Sequence, residues 1–402
     1  MLLTVLLVLA LLILIFFLPV KGARSYEYTP PSNRIDEADA VLSRRLLVPG
    51  TADYENYYSK HPENREADDR SREAPGLLKS GARYYHKTTF AASEANFEVI
   101  DHLGLLVETE PEANSPLQQG TPSEQNNPTD SDRNYNTFIK HWMKRTGAHS
   151  VGFTPLKDFH LYSHKGRGSR SGQRLELKHK NAIALTVEMD HDMMQAAPLG
   201  SSVMESSEQY LNSGVLALKL ATWIRQMGYE ATAHIDGNYE VICPLVAVDA
   251  GLGVIGRMGL LMTPTVGPRV RISVVTTNMP LEASPAKPDR TTLQFCDLCK
   301  KCAINCPVGA IPDDSMKEVS GVKRWKICSE KCYHFWTTSG TDCGRCMSVC
   351  PYSHKDNAFH GFIRWSIKNN LLFRHLALKL DDVFYGKKPP VKSLPHWTDQ
   401  ES

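Results

Sequence analysis

The sequence predicts an α/β (α+β) body over residues 137–290, followed by a cysteine-rich module over 291–357 and preceded by a membrane-spanning helix. Three observations carry that prediction. Helix-like and strand-like hydrophobic patterns alternate between Asn136 and Thr277. Of the ten cysteines, all but Cys243 and Cys328 fall in two tight runs between Cys296 and Cys350. Met1 to Val20 is almost wholly apolar and about as long as a bilayer-crossing helix. At 402 residues the chain can hold two or three domains with a sizeable core. Its 46 Lys and Arg nearly balance 44 Asp and Glu, so bulk charge points to no nucleic-acid partner.

The first element, residues 1–20, lacks the basic n-region and small-x-small cleavage site of a secretory signal, and no twin-arginine motif is present. It reads as an uncleaved anchor. Lys21, Arg24, Arg34, Arg44 and Arg45 follow it. By the positive-inside rule the protein is then expected to be single-pass in the cell membrane, with its catalytic body on the cytoplasmic side. Residues 21–107 mix charged turns with short apolar pieces and carry no motif. Residues 108–136 are rich in Pro, Ser, Asn, Gln and acids. Such a segment buries too little apolar surface to offset its ordering entropy, so it reads as a polar linker or insertion.

Phe138 to Gly147 predicts a helix with a glycine stop, and Ser150 to Thr154 the strand after it. Lys157 to Lys180 is a basic loop, read as solvated, with contact to a phosphate-bearing cofactor as the alternative. Ala182 to Val187 is a strand-like run. Ser207 to Met227 predicts the clearest helix, with Ser206 and Ser207 as caps and Gly228 as its stop. Val215, Leu216, Leu218, Leu220, Trp223, Ile224 and Met227 form its apolar face, and Tyr210 falls in its first turn. Another strand follows Tyr229.

Gly251-Leu252-Gly253-Val254-Ile255-Gly256 matches G-x-G-x-x-G, but no Asp or Glu occurs between Gly251 and Pro280. The ribose-binding acid of a dinucleotide fold is therefore missing. The glycines are expected instead to turn tightly or to let backbone approach a flat or bulky ligand. Arg269 to Thr277 alternates like a half-buried strand with its arginines on one face. Beyond the cysteines, within residues 358–402, Phe359 to Leu380 patterns as an amphipathic helix packed on the body, with a surface contact to the membrane as the alternative.

The cysteine runs are Cys296-x2-Cys299-x2-Cys302-x3-Cys306-Pro307 and Cys332-x10-Cys343-x2-Cys346-x3-Cys350-Pro351. Three thiolates at this spacing let one short loop wrap an iron–sulfur cube, while the cysteine before proline points away to the neighbouring cube. The runs thus predict two [4Fe–4S] clusters with crossed ligands. Cys296, Cys299, Cys302 and Cys350 hold one; Cys332, Cys343, Cys346 and Cys306 hold the other. Structural zinc has no use for this order of cysteines, and disulfides do not suit such close, regular spacing. Cys328, just before Cys332, competes for a place in the second set.

Further motifs accompany the runs. They are Tyr210 with Ile224-Arg225-Gln226-Met227-Gly228-Tyr229, Ala250-Gly251-Leu252-Gly253 with Gly256-Arg257, and Thr263-Pro264 with Gly267-Pro268-Arg269 and Arg271. Glu330-Lys331-Cys332-Tyr333 with Phe335-Trp336, and Gly340-Thr341 with Cys343-Gly344, complete the set. With these, the chain resembles the corrinoid- and iron–sulfur-dependent reductive dehalogenases over about residues 136–387. The resemblance implies a nitroreductase-like domain holding base-off cobalamin and a bacterial ferredoxin-type module that passes it electrons. It implies a halogenated organic substrate and reduced ferredoxin, flavodoxin or a membrane donor as electron source. Tyr210 would donate the proton and Arg271, or failing that Arg269, would lower its pKa, since a phenol of ordinary pKa is a poor acid at neutral pH. Asn238 and Ser206 match small polar contacts, and Gly251, Gly253, Gly256 and Arg257 the cofactor segment. Respiratory members carry a twin-arginine signal and a separate anchor protein, and here the chain departs from the pattern.

Two other readings compete. Epoxyqueuosine reductases share the domain pair but use an aspartate as acid, and Asp236 lies close to that place. Against them stand the apolar segment, the unremarkable charge and the lack of helical repeats after the clusters. A membrane-anchored iron–sulfur carrier would not need the residues between Asn136 and Cys296.

Overall fold

The computed structural model describes residues 30–108, 135–284, 290–319 and 321–398, together with Thr4, Leu7, Ala10 and Leu11. Most of the anchor expected over residues 1–20 and most of the polar segment 108–136 lie outside the described residues. Among the described residues, no helix is long and apolar enough to cross a membrane.

The body is built on strands β1 (Ser150–Pro155), β2 (Asn181–Glu188) and β3 (Ala231–His234), the short pair β4 (Val254–Ile255) and β5 (Leu261–Met262), and β6 (Val270–Thr277). Four of these form one sheet in the order β1-β2-β6-β3, and each neighbouring pair is antiparallel. The register sets Ile183 opposite Val275 and Val187 opposite Arg271. Both faces are covered, so β2 reads as a continuous apolar run rather than an alternating one.

The N-terminal region is helical, with α1 (Val41–Arg44), α2 (Ala52–Lys60), α3 (Pro62–Glu73) and α4 (Lys87–Glu108). Then come α5 (Tyr135–Arg145), α6 (His191–Gln195), α7 (Gly200–Gln226) and α8 (Cys243–Asp249). One sheet face packs Phe153, Ile183, Leu185 and Val275 against Ile139 and Met143 of α5 and Leu216, Leu220 and Ile224 of α7. The other packs Ala182, Ala184 and Val274 against Val246 and Ala247 of α8. Gly152 has no room for a side chain, because a Cβ there would overlap the Ala250 carbonyl at the end of α8.

Helix α7 begins at Gly200, so Ser206 and Ser207 are interior rather than caps and Tyr210 lies in its third turn. The buried serines explain the difference. Ser201, Ser202 and Ser207 bond back to carbonyls of Met193, Leu199 and Met204, so polar residues that favour caps in isolation continue the helix here. The basic loop is also less solvated than expected. Lys165 is 2 % exposed, and Glu37, itself fully buried, accepts from Gly166 N at 2.8 Å and Arg167 Nε at 2.8 Å.

The motif-free N-terminal region acts as a clamp. Glu37 holds the body, Asn96 donates to Ser207 at 3.1 Å, and Arg44 reaches Asp68 at 2.7 Å and Glu330 of the cysteine-rich module at 2.8 Å. That module contains α9 (Arg290–Cys299), α10 (Lys301–Ile304), hairpin β7 (Lys317–Val319) and β8 (Val322–Arg324), α11 (Ser329–Ser339) and α12 (Arg345–Ser348). The expected single C-terminal helix is two, α13 (Ala358–Asn369) and α14 (Leu371–Phe384). Asn370 ends one in extended conformation and caps the next through Phe373 N.

At the β3 edge His234 accepts from Glu240 N at 3.2 Å, so its other ring nitrogen donates to Thr276 at 2.9 Å. Burial pushes its pKa from 6.5 down to about 4. The folded state thus holds His234 neutral while the unfolded chain takes up a proton. Stability should be intact above pH 6.5 and fall as pH drops from 6.5 toward about 4. Denaturant titrations across that window, compared with His234→Gln, should show the wild type losing more stability than the variant.

Candidate active site

Strand β6 enters the site with its arginines, and both are buried. Arg269 donates to Ser353 O at 2.7 Å and pairs with Glu188 at 3.2 Å, tying the sheet to the end of the second cysteine run. Arg271 reaches Asp342 at 2.9 Å and also donates to Ser206, whose hydroxyl in turn donates to Asp342. Its guanidinium lies over the Tyr210 ring, 4.5 Å from the centroid. Helix α7 places Tyr210 one turn beyond Ser206, so both reach the same arginine.

The electrostatics run against the expected activation of Tyr210. Burial pushes its pKa up to about 12; Arg271 opposes that rise, while Asp236 and Asp342 add to it. The expected net lowering is not found, because burial outweighs the pull of Arg271. Asp342 and Asp236 are themselves raised, burial being the largest cause, with Arg271 pulling both down. The Cys243 thiol, at the start of α8, is pushed up to about 12 by burial and lies close enough to act on Tyr210 and Asp236. Among the described residues, Arg271 Nε and Asp342 Oδ1 are buried without a hydrogen-bond partner. Two unpaired polar atoms in one buried ion pair are costly unless a ligand meets them.

Other predicted positions lie elsewhere. Asn238 is buried in the turn after β3, donating to Gly104 O at 3.0 Å and accepting from Lys165 at 3.3 Å. Gly251 turns with φ +78 at the end of α8. Gly253 presses its backbone on the Met262 carbonyl, and a Cβ at Gly256 would lie 2.6 Å from Met262 Cγ. These two close approaches are to protein. Arg257 is fully buried, donating to the carbonyls of Cys296, Pro312 and Asp314 at 3.1, 2.8 and 2.8 Å and stacking over Trp325. It braces the cysteine-rich module. Of the positions assigned to the cofactor, Ser206 lies with Tyr210 and Arg271, whereas the glycines and Arg257 lie along the β4–β5 side.

The cysteines of both runs are brought close together. Cys296, Cys299, Cys302 and Cys350 line one cavity with Met258, Met262 and Tyr352. Burial pushes the Cys350 thiol well up, and Cys296, Cys299 and Cys302 raise it further. Cys346 is likewise raised by burial, then by Cys343, Cys332, Cys302 and Cys306. Such mutually opposed thiols suit a metal cluster, whose charge stabilises the thiolates. The two runs share a local form. Lys300, between Cys299 and Cys302, and Gly344, between Cys343 and Cys346, are both left-handed at the start of a short helix. Cys328 caps α11 and directs its thiol toward Glu330 at 3.7 Å.

Sequence reasoning missed Asp342. It precedes Cys343, but nothing in the pattern pairs it with Arg271, 71 residues away. Asp342→Asn should release Arg271 to Tyr210 and lower the phenol pKa from about 12. A difference tyrosinate titration between Asp342→Asn and Asp342→Asn/Tyr210→Phe measures it. Cys328→Ser should keep the full iron content on reconstitution, whereas Cys332→Ser should lose about half, by iron assay.

A 4Fe-4S dicluster domain matches residues 295–354. The tetrachloroethene reductive dehalogenase of Sulfurospirillum multivorans is 36% identical over 218 residues, 52% of this chain and 43% of that protein. A counterpart in Desulfitobacterium hafniense is 35% identical over 226 residues, 53% of this chain and 40% of that protein. The chain thus spans less than half the length of these relatives. A solved catabolic reductive dehalogenase, NpRdhA, matches with TM-score 0.64 at 25% identity, over 74% of this chain and 42% of that one. A further solved reductive dehalogenase, described in terms of B12-dependent dehalogenation, matches with TM-score 0.68 at 22% identity over 92% of this chain and 50% of that one. Over the shared stretch, this chain is similar to iron–sulfur reductive dehalogenases.

Proposed function

We propose that the chain removes halide reductively from a halogenated organic molecule, R–X plus two electrons and a proton giving R–H and X⁻. One observation carries the reading: Asp342, next to ligand Cys343, shares Arg271 with Tyr210, so the electron supply and the acid meet at one place. Electrons reach the site through the two cysteine sets, drawn from reduced ferredoxin, flavodoxin or a membrane donor. Bound cobalamin supplies the strongly reducing metal centre that cleavage of a carbon–halogen bond requires. Ser206, Arg271 Nε and Asp342 Oδ1 are the groups that would meet it, since the latter two lack partners of their own.

Tyr210 holds the proton. With a pKa near 12 it stays a phenol at neutral pH and gives up its proton when charge develops on the substrate. Arg271 then lies over the ring to stabilise the phenolate, and Ser206 and Asp342 keep the guanidinium in place. Burial of Arg271 and Ser206 strengthens each interaction. An N-terminal anchor at residues 1–20 belongs to the same proposal.

The anaerobically reconstituted protein should hold about eight irons and one cobalt. Tyr210→Phe should lower kcat for halide release by about 10²-fold or more while iron and cobalt contents stay unchanged. Activity retained in that variant would move the acid elsewhere, with Asp236 the next group to test. Turnover of epoxyqueuosine tRNA without halide release would overturn the dehalogenase reading, and eight irons without corrinoid would favour an electron carrier.

A further inference from the structure

Beyond α14 the chain runs back along the cysteine-rich module as a strap, with neither helix nor strand over residues 386–395. Side chains rooted between the cysteines hold it down. Lys301 donates to Gly386 O at 3.0 Å and Asn305 to Lys387 O at 3.0 Å, both from the stretch between Cys299 and Cys306. Arg345, between Cys343 and Cys346, donates to Pro389 O. Thr88 of α4 fixes the far end by donating to Thr398 O at 3.0 Å. The strap is thus tied through its carbonyls, which leaves the Lys387 and Lys388 side chains out of the fastening, and both are exposed.

The charge along it has one sign. Residues 385–398 carry Lys387, Lys388 and Lys392 and no acid, and the charged residues between Cys299 and Cys306 are Lys300 and Lys301. Asp381 and Asp382, at the end of α14, turn inward onto Lys301, which is 2% exposed, and Asp381 also meets His354 at 2.7 Å. The nearby carboxylates are therefore spent beneath the strap. Among the described residues, Lys300, Lys387 and Lys388 pair with no carboxylate. Lys300 borders the cavity that Cys296, Cys299, Cys302 and Cys350 line. Single surface lysines are ordinarily only solvated, but these are bound by their own backbone to the first cysteine run.

We propose that Lys387 and Lys388, with Lys300, form the docking surface for an acidic protein that carries one electron at a time, of the ferredoxin or flavodoxin kind. The inference rests on the reading that the cysteines hold clusters, and it adds the place at which electrons enter. Each encounter moves one electron, oxidising the carrier and reducing the cluster, with no proton or bond exchanged. Opposite charges speed and orient such an encounter more than they tighten it. Anionic lipid is the poorer occupant, because it would meet lysines anywhere on the surface equally well. Lysines fastened to the cysteine loops suit a partner that must come close to those loops.

The test uses the full chain, anaerobically reconstituted, reduced and freed of reductant, then mixed with an oxidised, acidic plant-type [2Fe–2S] ferredoxin. Stopped-flow absorbance of the ferredoxin gives a second-order rate constant. At low salt, Lys387→Glu/Lys388→Glu should lower it roughly ten-fold. Raising the ionic strength should slow the wild type and close the gap, because screening removes what the lysines contribute. Reduction of propyl viologen sulfonate, a small acceptor of no net charge, should be the same in both chains, and iron content serves as the fold control. Equal ferredoxin rates at low salt would overturn the proposal, as would a loss shared with the small acceptor. Unchanged ferredoxin rates with lost binding to phosphatidylglycerol vesicles would assign the strap to lipid and also overturn it. A chain that takes up no iron would overturn the cluster reading and this one with it; about eight irons with equal rates would overturn this one alone.

Discussion

The ion pair between Arg271 and Asp342 is the contact on which the site depends. It crosses from the central sheet to the loop that carries the second cysteine set, and Ser206 closes it from a third element, α7. A buried pair of this kind adds little net stability, because desolvation consumes most of the attraction, but removing one partner leaves the other charge stranded. Its value lies in register. It fixes how the cysteine-rich module sits on the body and holds Arg271 over Tyr210. That joint also brings Cys343, next to Asp342, near Tyr210.

Burial explains why Tyr210 is a weak acid in this structure. A lone arginine above a phenol ring would pull its pKa down, but here the cation is divided between the ring, a hydroxyl and a carboxylate, and burial prevails. A phenol near pKa 12 keeps its proton until negative charge forms beside it. That behaviour suits a proton donor more than a base, and it limits loss of the proton to solvent.

Polar groups join the two halves beside a shared apolar cluster. The N-terminal helices bring Glu37 to the basic loop, Asn96 to α7 and Arg44 to α11. Gly76, Leu78, Arg83 and Tyr84 extend the clamp by donating backbone hydrogen bonds to the carbonyls from Thr337 to Gly340. Arg257 and Arg269 do the same from the body side, each donating to carbonyls of the cysteine-rich module. A loop wound round clusters has few regular backbone pairs, so its carbonyls need donors from outside, and long arginines supply them.

Sequence alone determined what depends on local spacing. Cysteine intervals pointed to two iron–sulfur clusters, hydrophobic period located α5, α7 and the strands, and the missing acid after Gly251 excluded a dinucleotide fold. Each is a statement about neighbours along the chain. Tertiary structure decided what depends on groups far apart in sequence meeting in low dielectric. The start of α7 moved back to Gly200 because its serines found carbonyls, a motif-free region became the clamp, and Gly253 and Gly256 faced protein. Asp342 could not be read from the sequence at all. Its role comes from an arginine brought beside it by folding, and the Tyr210 pKa follows from how burial weighs against that shared charge.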